Sequence, residues 1–199
     1  MRPFLALALL VACGPALAQP KPDPDWPCVQ RKVPTITIGA VWSGPDPAAA
    51  GEWGRDFQAA ALAQRLASRR TPIAETDALV DAFAAEAGAE RSQRLTRVFA
   101  GVHEIINGER AKLMAGIERY ARGQRQLAER IREEAERVSA VRDAVEVKAP
   151  KEQEELEQRF AWDRRIFEER NQALEYVCET PVLLEQRLFE ISRKIQGRL

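Results

Sequence analysis

Histidine is nearly absent: the 199 residues contain one, His103. A Ser-His-Asp or Cys-His catalytic group is therefore excluded unless His103 is its base. A di-iron bundle needs two E-x-x-H motifs and is excluded outright. No C-x-x-C-H stretch occurs, so no c-type haem is attached, and no C-x-x-C pair exists for thiol chemistry. No apolar run reaches the ~20 residues that span a bilayer. G-P-D-P at 44–47 and the glycines at 51 and 54 follow no βαβ pattern and carry no nucleotide motif. The reading that follows has no catalytic residue, no metal ligand and no cofactor.

An excess of one charge is also missing, since 30 Lys and Arg balance 30 Asp and Glu along the chain. Both signs are interspersed, which gives no electrostatic footprint for nucleic acid and no polybasic patch for anionic lipid. Carboxylate runs such as Glu133, Glu134 and Glu136, or Glu152, Glu154, Glu155 and Glu157, alternate with Arg, Lys and Gln. A solvated helix face accounts for them; an acid–base pair would need a pocket that moves one pKa.

What is present begins with a processing signal over residues 1–18. Arg2 supplies the positive end, Phe4 to Ala12 the short apolar run, and Ala16-Leu17-Ala18 a small-residue cleavage site after the Gly14-Pro15 break. Gln19 is the expected mature N-terminus. The rival reading is a lipobox, Leu10-Val11-Ala12-Cys13, with lipid on Cys13 and attachment to a membrane facing the periplasm. Both readings export the chain to the periplasm. Loss of Arg2 alone with residues 1–18 leaves 29 basic against 30 acidic residues.

Three cysteines occur, and Cys13 is removed or lipidated. Cys28 and Cys178 are then an even pair in an oxidising compartment, the condition for a disulfide. Closing about 150 residues is worth about 4–5 kcal/mol in the chain-entropy model. A redox-active pair is the alternative. It is disfavoured because Cys178 is expected at a helix C-terminus, where the dipole opposes a thiolate.

Residues 19–47 are proline-rich and read as an extended arm. Within it Ile36, Ile38, Ala40 and Trp42 alternate at period two, the spacing of a strand. The arm either lies over helices with that face inward or adds an edge to a partner's sheet. Residues 48–199 form a single helical domain. Trp53 and Phe57, with Leu62 and Leu66, mark a helix over 49–69, and Thr76 is the expected N-cap of a short helix ending at Gly88.

The strongest pattern follows. Leu95, Phe99, Val102 and Ile106 open a stripe that runs through Leu113, Ile117, Tyr120, Gln124, Leu127, Ile131, Glu134, Val138, Val141 and Val145. Steps of four and three are the heptad of a coiled coil, with Gln124 and Glu134 as polar interruptions. The phase survives Asn107-Gly108, so one long helix is expected, laced outside by Glu118–Arg122 and Glu133–Arg137 pairs. Ala149-Pro150 stops it. Leu156, Phe160, Phe167, Leu174 and Val177, widened by Trp162 and Ile166, mark a returning helix. The expected fold is all-α: an antiparallel helical hairpin over about 89–178, some 28 paired residues or roughly 42 Å long. Thr180-Pro181 reads as the cap and first residue of a separate last helix carrying Val182, Leu183, Leu188, Phe189, Ile191 and Ile195.

H-E-I-I-N at 103–107 holds half of the zincin motif, but Asn107 stands where the second zinc-binding histidine belongs. All four tryptophans are expected to pack in the core; if a tryptophan instead meets a partner, Trp26 and Trp42 on the arm are the candidate interaction residues. The functional expectation is a non-catalytic periplasmic interaction or scaffold protein, acting through its hairpin and arm on an envelope protein or on itself. A chaperone-like or sensor protein holding clients is the alternative, and a thiol-redox protein a remote one.

Overall fold

A computed structural model describes residues 23–143 and 150–199. The described residues form six helices: α1 (Ile38–Val41), α2 (Pro47–Ala50), α3 (Phe57–Ala67), α4 (Thr76–Ala87), α5 (Arg91–Arg142) and α6 (Pro150–Gln196), with single 3-10 turns before α3, α4 and α5. The fold is all-α, and no strand occurs among the described residues.

α5 and α6, of 52 and 47 residues, form the antiparallel hairpin. Their register is visible in cross-contacts that run oppositely along the two chains: Arg110 with Pro181, Tyr120 with Arg170, Arg130 with Asp163 and Arg142 with Glu157. α5 passes through Asn107-Gly108 unbroken, because the apolar stripe keeps its phase there and burial outweighs a propensity loss of about 1 kcal/mol. Val145 lies outside the described residues.

The core sits at one end. α1 to α4 pack on Leu95, Val98, Phe99, Val102 and Ile106 of α5 and on Leu184, Leu188, Ile191 and Ile195 of α6. α3 meets α5 closely because Gly101 has no side chain; a Cβ there would lie 2.7 Å from Ala63 Cβ and 2.9 Å from the Trp53 ring. This end is a head. Beyond Leu113 the hairpin continues as a two-helix stalk, about 45 Å long for thirty residues of α5, in which Met114, Ile117, Ala121, Leu127 and Val138 are the buried apolar residues of α5. The seam between them is partly polar. Gln124 Nε2 donates to the Phe167 carbonyl (3.3 Å) and to Asn171 Oδ1 (3.0 Å). Glu134 is buried with Oε2 unpartnered, and buried Asp163 accepts from Arg130 at 2.5 Å. Polar groups in such a seam cost stability and fix register.

Several sequence expectations change. No separate last helix exists: Pro181 lies inside α6. Proline removes one donor and leaves the Val177 carbonyl without its usual partner. Packing of Leu184, Leu188 and Ile191 into the head carries the helix across that defect, and the Thr180 hydroxyl bonds back to the Tyr176 carbonyl at 3.4 Å. Of the apolar residues of this segment Leu183 and Phe189 face solvent, while Leu184, Leu188, Ile191 and Ile195 are buried. Pro150 opens α6 instead of merely ending α5, as proline at a first helical position does. Thr76 is helical, with a buried hydroxyl that has no partner, and so does not cap α4. The predicted 49–69 helix is broken by Gly51 at φ +87°, and the caps are Asp46 on α2 and Asp56 on α3. Gly88 does end α4, at φ +55°. Neither the Glu118–Arg122 nor the Glu133–Arg137 pair forms among the described residues, because Glu118 and Arg122 are taken by the arm.

Candidate functional site

Besides the bonds of Gln196 with Ser43 and Val41, four sets of contacts join the arm to the hairpin. At its outer end Asp25 pairs with Arg122 (2.8 Å) and Arg125, and Lys32 pairs with Glu118 of α5. Next to them Cys28 and Cys178 form the expected disulfide, with Cα atoms 5.5 Å apart. Cys178 lies well inside α6 rather than at a helix C-terminus, so the dipole argument against a thiolate does not apply to it. It is buried, and the bond joins the arm to the helix one turn before Pro181.

Farther along, H-E-I-I-N supplies the third set. His103 and Asn107, one turn apart on the same face, both grip Ile36. Asn107 Oδ1 accepts from the Ile36 N–H at 3.0 Å, and its Nδ2 donates to the Ile36 carbonyl at 3.1 Å. His103 Nε2 lies 2.9 Å from the same carbonyl. The Asn107 Nδ2 lies 3.1 Å from the same imidazole nitrogen, so the three polar groups converge on one point of the arm. Glu104 Oε2 accepts from Trp53 Nε1 at 2.9 Å. The residues that superficially suggest zinc are a backbone clasp, and among the described residues no group of three His, Cys, Asp or Glu could hold a metal.

Trp42 makes the fourth set. Its ring stacks on Phe99 with centroids 3.9 Å apart, and its Nε1 donates to the Pro45 carbonyl at 2.7 Å. At 7 % exposure it packs in the core rather than presenting a surface to a partner. Trp26 is half-buried, with its Nε1 bonded to the Gln30 carbonyl at 2.7 Å. The period-two face is also not a strand edge. Ile36 and Trp42 point inward, but Ile38 and Ala40 face solvent, because residues 38–41 turn as one helical turn. With no second strand to pair, the Asn107 amide takes the place of one at Ile36. A cleft of about 580 Å³ remains beneath this stretch, bounded by Ile38, Trp53, Phe99 and His103.

A second surface lies on α6. Trp162, expected in the core, is 56 % exposed, with Arg165 stacked over its ring at 4.4 Å. Tyr176 is 75 % and Leu183 54 % exposed, and Val177 also faces solvent. Trp162, Tyr176 and Leu183 recur at spacings of fourteen and seven, so they stand in one row along the helix. Of these, Trp162 is expected on the widened inner face, and the structure places it outside.

Electrostatics are strongest in the head. Asp56 caps α3 through the Ala59 N–H and accepts two bonds from Arg94, at 2.8 and 3.0 Å. The Arg94 guanidinium lowers its carboxyl to about 2. Arg187 donates to the Leu66 and Thr71 carbonyls and so closes the C-terminus of α3; burial lowers its pKa. These are structural contacts.

The fold and its surfaces define a helical hairpin protein with a covalently fastened arm. No protein-family model matches the chain, and searches of curated proteins and of solved structures also return no match. Among the described residues no helix is long and apolar enough to cross a membrane.

Proposed function

We propose that this is an exported, non-catalytic scaffold protein of the periplasm that binds another protein through the outer face of its hairpin. One observation carries the reading: large apolar side chains at Trp162, Tyr176 and Leu183 stand exposed in a row on α6. Exposed rows of this size mark interaction surfaces, and aromatic residues are enriched at the centres of such surfaces. The Cys28–Cys178 bond supports export, since stable disulfides belong to oxidising compartments. The arm then has a supporting role: it fastens the head to the base of the stalk.

Photo-crosslinking tests the proposal. A photoreactive residue placed at 162 or 176 in the protein expressed in its own cells should give a discrete protein adduct. The same residue at the exposed position 104, in the head, should not. Equal labelling at all three positions, or none at 162 and 176, refutes the reading. Mass analysis of the same material gives the processed N-terminus, Gln19 or a lipidated Cys13.

A further inference from the structure

The row on α6 is one side of a regular second seam. Trp162, Ile166, Glu169, Ala173, Tyr176, Thr180 and Leu183 are separated by four and three residues in strict alternation, the spacing of a coiled-coil face. Most apolar positions precede an inward residue by one: Trp162 before Asp163, Ile166 before Phe167, Ala173 before Leu174 and Leu183 before Leu184; Tyr176 is the exception, since Val177 faces solvent. One residue turns a helix by about 100°, so the second seam lies beside the first. That is the arrangement of a helix with two neighbours in a bundle. α5 fills one of the two places.

We propose that the other place is filled by α6 of a second copy of this chain, running antiparallel, with the twofold axis near residue 171. The proposal rests on the scaffold reading and names its partner. The argument is self-complementarity, which a twofold interface demands. In this register Ile166 packs against Tyr176 of the second copy, and Trp162 against Thr180. On the flank away from α5, Arg165 meets Glu179 of the second copy, and the symmetry makes that pair twice. Within its own chain Arg165 stacks over Trp162 and has one loose carboxylate partner, Glu169 at 3.8 Å, and so stands at the edge of this seam with charge to spare. The one like-charged approach is Arg170 with its symmetry mate, and the Glu169 carboxylates lie next in the chain to both. A parallel pairing would part Arg165 from Glu179 by fourteen residues, roughly 21 Å along the helix, and bring Arg165 toward Arg170 of the second copy, which disfavours it.

The test is sedimentation equilibrium on the full processed chain with its disulfide intact, up to about 0.1 mM. A dimer is expected. Trp162→Glu with Tyr176→Glu should make it monomeric, with unchanged far-UV circular dichroism. Arg165→Glu alone and Glu179→Arg alone should each weaken dimerisation about tenfold or more, and the two together should restore it to within about threefold. A monomeric wild-type chain overturns the proposal, as does a dimer that survives Trp162→Glu with Tyr176→Glu. Failure of the charge swap to restore dimerisation overturns the antiparallel register. A monomer that still crosslinks to a different protein at position 162 removes the second copy and leaves the scaffold reading standing.

Discussion

Replacing Asn107 by Ala separates two accounts of this residue by the sign of the effect. If Asn107 were only a poor helix residue on a solvated face, Ala would stabilise α5 by about 0.6 kcal/mol. The structure instead gives it two hydrogen bonds to the backbone of Ile36, at 3.0 and 3.1 Å. After substitution the Ile36 carbonyl still has His103 Nε2 at 2.9 Å. The Ile36 N–H has no substitute, and Ile36 is buried. Two bonds at about 1 kcal/mol each, with a penalty of about 1–3 kcal/mol for a buried orphan donor, outweigh the propensity gain. The expected net loss is about 2.5–4.5 kcal/mol. Gly108→Ala is the control, because Gly108 is exposed and a Cβ there meets nothing within 4 Å. It should gain about 1 kcal/mol. Urea unfolding of the oxidised proteins reads both values, and amide exchange at Ile36 localises the effect. An Asn107→Ala midpoint that rises alongside that of Gly108→Ala refutes the clasp.

Three further outcomes follow from the geometry. Gly101→Ala should destabilise by about 1–3 kcal/mol despite the better helix former, because its Cβ would meet Ala63 and the Trp53 ring; the urea midpoint checks it, and Ala63→Gly in the same chain should recover part of the loss. Replacing Cys28 and Cys178 together by Ser should cost up to about 4–5 kcal/mol by unfastening a 150-residue loop, measured as the difference between oxidised and double-variant unfolding curves. Asp56 has a folded-state pKa of about 2, lowered by Arg94. A lowered carboxyl contributes stability above its unfolded value near 3.8 that is lost as pH falls through about 2. Asp56→Asn should therefore lower stability at pH 7 by about 1–2 kcal/mol and flatten its decline between about pH 4 and pH 2, as a urea series against pH will show.

The long elements were legible because they repeat. A stripe of 3–4 steps over some fifty residues determines a helix whatever its neighbours do, which is why Asn107-Gly108 did not mislead. Pairing of Cys28 with Cys178 followed from counting. Single-residue signals failed where packing at a distance decides. Pro181 resembles a helix start until Leu184 and Leu188 are seen holding the next turn in the core. Thr76 resembles a cap until it is found inside the helix. Trp162 faces solvent against expectation, because nothing local distinguishes it from Trp42, which stacks on Phe99 in the core. Asp163 was legible in principle, since it falls midway between Phe160 and Phe167 in the heptad, and a charged residue there conceals the inner seam. The role of H-E-I-I-N was not legible, because its partner is the backbone of a residue about seventy positions earlier.

The concentration of the core at one end has a consequence for how such a chain can change over generations. The head, the clasp on Ile36 and the disulfide all lie below the outer stalk, and no described contact ties the outer stalk back to them. Seven residues added to α5 and seven to α6 at the same level would lengthen the stalk by about 10 Å and leave every head contact in place. A single seven-residue insertion would instead put Arg130 out of step with Asp163. Length in this architecture is free to vary, but only in matched pairs of heptads.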